Sequence, residues 1–369
     1  MRSGQGHTGP RSSDERSGCI MDEKKRAKIN ALERELEEVN KLIASEKQEV
    51  DLQKLLKRQN KLNIKINMIK NNKILSRAGK RNLIAYSFIA PNFIGFCVFT
   101  LVPIVFAFAL AFMKWDGNNE ATFNGINNFT KLATDTFFWA ALKNTLIYVI
   151  GTVPLTMAAS LGLAIVLNQR VVGRGFFRTV AFFPYVASLV AITSVWSMIF
   201  HPSKGPINYL LLTVFGVDQN NLPKWFSGSL VLLTFILFSV WKYMGYYMLI
   251  YLAGLQGISP ELYEAANLDG ANAWQRFIYI TLPQLRATTF FVLVMLTINC
   301  FKVYDIAVML AGGGDGKLST SATVLVYYIY QNAFNYWDLG YSSAIAMVLF
   351  VIVLTVTLIQ FKYEKKVDE

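Results

Sequence analysis

Histidine and cysteine are almost missing from this chain. His7 and His201 are the only histidines, and Cys19, Cys97 and Cys300 the only cysteines, in 369 residues. Neither histidine has a Cys, Asp or Glu cluster around it, so no metal site is expected. The cysteines are scattered and two lie inside apolar runs, which excludes a disulfide framework. Charge is scarce as well. Charged residues make up 16% of the chain against 53% hydrophobic, too little for the surface of a soluble protein of this length. The glycines of GGGDG (Gly312–Gly316) are not followed by G-K-[ST], so they form no phosphate loop and read as a flexible external loop. No nucleophile with its base and no cofactor motif is found, and neither catalysis nor a cofactor is expected.

What charge there is sums to +12, and its placement is informative. Much of it lies in the first 81 residues, and most of the rest flanks one end of the apolar runs. Basic patches interleaved with exposed aromatics are lacking, which argues against nucleic acid. Residues 1–20 are rich in Gly, Ser and Arg and have no apolar signal-peptide core. They are read as a disordered start or leftover extension, with Met21 as the natural beginning. Residues 21–81 form a charged extension in which Leu32, Leu36, Val39 and Ile43 step at helical spacing. That register fails at Glu46 and Gln53 and restarts near Leu55, Leu62 and Ile69. Two readings stay open: a solvated helical tail, or a segment that binds a partner or lies on anionic membrane lipid.

Six apolar runs follow, each long enough to cross a bilayer: 83–113, 139–167, 179–200, 229–253, 287–310 and 341–361. One side of them carries Lys73, Arg77, Lys80 and Arg81, then Arg170, Arg174 and Arg178, then Arg276 and Arg286, then Lys362, Lys365 and Lys366. The other side has only Lys114, Lys131, Lys204, Lys224 and Lys317, mixed with acids. Positive charge faces the cytoplasm, so both termini and the loop at 254–286 are expected there. Trp115, Trp139, Trp225 and Trp337 fall on the external side and suit an interfacial belt. The expected fold is an all-α membrane protein of six transmembrane helices (82–369) behind a charged cytoplasmic helical tail.

The loop contains YEAANLDGANAWQRFIYITLP (263–283), a polar interruption between oily runs. Ser259 is placed to cap a helix, Pro260 suits its first position, and Glu261 favours its positive end. Gly270 supplies a turn, and Pro283 limits a second helix. Ala265, Ala266 and Ala271 leave a smooth surface that another protein can approach. The spacing of Glu264-Ala265-Ala266, Asp269-Gly270, Ile280 and Leu282-Pro283 resembles the EAA motif of ABC-importer permeases. Further stretches narrow the resemblance to MalF-like carbohydrate permeases of the MetI-like fold: RGFFRTVAFFPYVASLVAITSVWSMIF, GLQGISPELYEAANLDGA and FKVYDIAVMLAGGG. The connection between the first two runs is too short to hold the external domain of the maltose subunit itself, so the likeness is to six-crossing relatives.

This resemblance implies a bacterial cell-membrane permease subunit, not itself an enzyme, that moves a sugar or oligosaccharide by alternating access. It implies a second homologous permease, two cytoplasmic ATPase subunits that grip the EAA helix, and an extracytoplasmic solute-binding protein. It also implies a substrate site on the fourth and fifth runs. There Ser239, Trp241, Lys242 and Tyr243 (SVWKY) match the family pattern, and Asn299 and Lys302 share a helical face with Asp305 one turn on. Cys300 and Val303 stand where maltose-type subunits carry asparagine. The alternative for Lys242 and Lys302 is that they snorkel, or pair with a neighbouring chain. A rival class, an ion-coupled secondary transporter, calls for internal repeats, interrupted half-helices or acidic relays, and none stands out. A sensor anchored by the membrane part is disfavoured by six crossings and an intact docking loop.

Overall fold

The computed structural model describes residues 13–45, 49–70, 82, 86–169, 172–311 and 319–368. Residues 71–81 of the charged extension, Arg170 and the GGGDG loop lie outside the described residues. The chain divides into two compact units, Met1–Val102 and Pro103–Glu369.

In the first unit, α1 (Ser13–Ser45) and α2 (Glu49–Lys70) pack side by side. Val39, Leu62 and Ile66 are buried, so the two partial registers of the sequence meet as one seam. The register lost at Glu46 is lost just past the end of α1, and α2 carries the second one. Arg58 Nη2 reaches Glu35 Oε1 at 3.0 Å and Gln59 Nε2 donates to Asn40 Oδ1 at 2.8 Å. Both contacts are exposed and add little stability. α1 runs through Met21 without interruption, ahead of the boundary expected there. α3 (Tyr86–Leu110), the first candidate membrane span, begins in this unit and ends in the second.

In the second unit, α3 is followed by a short hairpin, β1 (Met113–Lys114) against β2 (Thr122–Phe123), and α4 (Asn127–Thr134). Buried Asn128 donates to the carbonyls of Ala111 and Met113, at 2.9 and 2.8 Å. α5 (Thr136–Asn168) is 33 residues long, about 50 Å, more than the hydrocarbon thickness of about 30 Å. Asp135 caps it, accepting from the N–H of Phe137 and Phe138. The Asp135 carboxylate also accepts the hydroxyls of Tyr328 (2.6 Å) and Tyr341, tying three elements at one end of the unit. Burial pushes this carboxyl up, but those four hydrogen bonds outweigh it and hold the group below its ordinary value.

The third apolar run is not one straight crossing. It splits into α6 (Arg174–Val186) and α7 (Leu189–Ile199), bent by 97°. Pro184 cannot donate to the carbonyl one turn back, and Ala187 and Ser188 then take extended backbone angles that end the helix. α8 (Pro206–Thr213) precedes α9 (Val231–Gln256), whose apolar helix extends back to Gly228. α5 and α9 form the core pair. Tyr148, Val149 and Val153 pack among Phe235, Ile236 and Phe238, and Gly151 leaves room for Ile236. Tyr148, Thr152, Thr156 and Ser160 recur every fourth residue on α5 and all are buried, and the Tyr148 hydroxyl meets Ser239 of α9.

After α10 (Pro260–Leu268), α11 (Ala273–Gln284) meets α12 (Arg286–Phe301) at a 66° bend. The fifth run also differs from expectation. Its helix stops at Phe301, and α13 (Asp305–Ala311) begins after a break, so Lys302 and Asp305 are not one turn apart on a continuous helix. The break puts a cation at the negative end of α12 and an anion at the positive end of α13, where each is stabilised. α14 (Leu325–Tyr330) and α15 (Leu339–Asp368) complete the fold. Four described helices are long and apolar enough to cross a membrane, or up to six if each bent pair counts as one.

Candidate functional site

The polar loop is a rigid two-helix element. α10 ends in a left-handed residue, Gly270, at φ +77°. The N–H of Ala271 returns to the Ala266 carbonyl at 2.9 Å and that of Gly270 to the Asn267 carbonyl at 3.1 Å. This pairing closes the helix end and aims the chain into α11. No heavy atom lies within 4 Å of a Cβ built on Gly270, so backbone angle, not space, demands glycine here. Ser259 occupies the N-cap position of α10 without a side-chain bond, while Asn272 caps α11 in a reciprocal box with Gln275. Arg276 donates to the Asn267 side chain across the turn, and Tyr263 and Thr281 hydroxyls meet at 3.0 Å. A π-turn at Phe277–Thr281 precedes Leu282-Pro283 and absorbs the proline's missing donor. Glu264, Ala265, Asp269 and Gly270 are exposed, Ala266 and Ile280 partly so. Large apolar side chains beside them are open: Leu268 is 89%, Tyr279 76% and Trp274 67% exposed. Large open apolar side chains are a common feature of interaction surfaces.

Within the membrane part, the second group of sequence candidates is only partly assembled. Ser239 is fully buried and shares a 2.7 Å hydrogen bond with the Tyr148 hydroxyl. Asn299 Nδ2 donates to the Tyr247 hydroxyl at 3.2 Å, joining α12 to α9. Trp241 packs with Trp196 (5.5 Å) and Phe238 (6.1 Å) in an aromatic cluster. Lys302 is exposed at the end of α12. Lys242 meets a partner that neither sequence reading named. Its Nζ lies 3.4 Å from the carbonyl oxygens of both Pro184 and Tyr185, the last turn of α6, and 5.7 Å from the Tyr185 ring centroid.

Residues 156–369 match the family described as binding-protein-dependent transport system inner membrane component. The chain belongs to this family. The permease is 41% identical to the probable ABC transporter permease protein YesP of Bacillus subtilis, over 77% of this chain and 91% of that relative. It is 35% identical to the arabinooligosaccharides transport system permease protein AraP of the same organism, over 75% and 87% respectively. In fold it resembles a chain of a bacterial alginate ABC transporter crystallised with an alginate pentasaccharide-bound periplasmic protein. That likeness has a TM-score of 0.69 at 24% identity and covers 79% of this chain and 97% of that one. The permease is therefore a multi-pass membrane subunit of an ABC importer, and subunits of this family are not themselves enzymes.

Sequence reading missed several residues of these sites. The Asn272–Gln275 box was visible as Asn followed three residues later by Gln. Tyr148 carried a weaker signal, the hydroxyl repeat on α5. Tyr185 and Tyr246, stacked at 4.4 Å, carried none, because nothing in sequence spacing brings α6 onto α9. The rival transporter class was set aside partly for want of interrupted helices. Interruptions are in fact present in two apolar runs, so that feature does not separate the classes, and family membership does.

Proposed function

We propose that this permease imports a sugar or oligosaccharide by alternating access. It pairs with a second homologous permease in a bacterial cell membrane, both termini in the cytoplasm. Two cytoplasmic ATPase subunits hydrolyse ATP, and an extracytoplasmic solute-binding protein delivers the cargo. The observation that carries the coupling role is the closed two-helix element of α10 and α11, rigid in its turn and apolar on its open face. Glu264, Ala265, Ala266, Asp269 and Gly270 form the contact with the ATPase, and Ile280, Leu282 and Pro283 pass its motion to α12. The cargo class is supported by the name of the arabinooligosaccharide relative. Ser239, Trp241, Tyr243, Asn299 and Lys302 are the pathway candidates, where hydroxyls, amide and rings suit sugar hydroxyls and C–H faces, and Lys242 stands beside them with its ammonium on the α6 carbonyls. The α1–α2 pair is a cytoplasmic extension outside the transport unit.

The test is reconstitution of the complex with its ATPase and binding protein in vesicles, followed by ATP-dependent uptake of labelled oligosaccharides. Glu264→Lys should lose ATPase co-purification and uptake together. Normal capture of the ATPase by that variant would sink the coupling assignment, and uptake of only non-carbohydrate solutes would sink the cargo assignment.

A further inference from the structure

The broken third crossing raises a physical problem. Inside hydrocarbon every backbone carbonyl needs a partner, and a helix that stops after Val186 frees those of its last turn. The Phe183 carbonyl is taken by the Ala187 N–H at 2.9 Å. Those of Pro184 and Tyr185 are met by one ammonium, that of Lys242 on α9. At 3.4 Å these are long hydrogen bonds, but the positive charge also sits on the negative end of the α6 dipole.

The rest of that α9 face is shaped for the same contact. Gly245, one turn on, admits the α6 backbone so closely that a Cβ would collide with the Ala181 carbonyl. Tyr246 stacks on Tyr185. On the other half-helix, Trp196 of α7 packs edge-on to Phe238 of α9 at 5.1 Å. Both halves of the broken crossing are thus gripped by α9, with Lys242 at the break itself.

We propose that Lys242 is a positioning residue for transport, its ammonium capping the end of α6 and fixing the angle between α6 and α7. This rests on the importer reading but not on the nature of the cargo. A charged cap suits a crossing that must keep a bend through the cycle, because the freed carbonyls cannot turn to lipid.

The test uses the reconstituted complex, with Cys19, Cys97 and Cys300 replaced and spin labels at exposed Val180 and Val195, one on each half-helix. Lys242→Met should broaden and shift the label distance and lower maximal uptake about tenfold, with half-saturating cargo concentration unchanged. Lys242→Arg, which can still reach and donate to carbonyls, should restore the distance and most of the rate. Lys242→Gln keeps donors without charge, and should fall between them should the Met variant fail to assemble. Wild-type distances in the Met and Gln variants would overturn the proposal. So would a raised half-saturation at wild-type distances, which would put Lys242 on the cargo instead. Failure of wild-type complex to move any oligosaccharide would strike the cargo reading alone, since the distances remain readable.

Discussion

The proposed coupling element and the broken third crossing are both helix–break–helix structures, yet they are held in opposite ways. Around Gly270 the restraints come from within the loop itself: the returned N–H groups of Gly270 and Ala271, the Asn272–Gln275 box, Arg276 on Asn267 and, across the loop, Tyr263 on Thr281. Around Ala187–Ser188 the restraints come from α9, more than fifty residues away along the chain, as the separation of Lys242 from Tyr185 records. The break in the polar loop is exposed and can lean on water, which satisfies any group the turn leaves open. The membrane break cannot, so it borrows a lysine, a glycine and a tyrosine from another helix. The exposed turn is encoded within its own loop; the one inside an apolar run is encoded by packing.

Substitutions at the two breaks should separate accordingly. Gly245→Val should have the largest effect, because the Ala181 backbone cannot step aside. Overpacking of this kind costs about 1–3 kcal/mol, read as a lower melting temperature of the assembled complex together with lost uptake. A wild-type melting temperature would mean that α6 floats on α9, and the contrast would collapse. Gly270→Ala and Gly270→Leu should each cost about 1–2 kcal/mol of local turn stability, and by nearly the same amount, since the left-handed angle and not the volume is at issue. Amide exchange over 266–272 in the permease without its ATPase checks this; a far worse Leu variant there would mean that the turn is packed within the chain itself. Asn272→Ala should cost about 1 kcal/mol through the lost cap, seen as faster amide exchange over 270–276 with the membrane helices unchanged.

The smallest effect concerns a third anchor, Asp135. Its carboxyl is held below the ordinary 3.8 in the folded chain. Its stabilisation is therefore complete above the ordinary carboxylate range and is lost as pH falls through the depressed folded value. Melting temperature measured downward from pH 6 should show an acid decline that is shallower in Asp135→Asn, which keeps a capping oxygen but has no proton to gain. Equal declines in both proteins would assign the acid sensitivity elsewhere.

Local encoding explains what could be read from the sequence. The expectation of a glycine turn at Gly270 and a helix starting at Pro260 rests on neighbours in the chain, and the geometry agrees. Four of the apolar runs are long single helices for the same reason: hydropathy is a local sum. The breaks at Ala187 and Lys302 were not legible, although Pro184 and the Lys302–Asp305 charge pair stood in plain view. Apolar content does not reveal whether a helix bends, because a bent helix and a straight one bury similar side chains. The mate of Lys242 was hidden for a deeper reason. Carbonyl oxygens have no letter in the sequence, so a search for charge partners among side chains passes over them.

The hydroxyl stripe on α5 has a consequence for how the molecule travels between solvents. Two helices in lipid gain nothing from oil avoiding water, so an interface that relied on apolar burial would hold only once extracted. The α5–α9 seam uses close approach at Gly151 and the Tyr148–Ser239 bond, attractions that do not depend on what surrounds the pair. It should be the part that keeps its shape as the bilayer is thinned, thickened or exchanged for detergent, the fixed keel against which the bent crossings move.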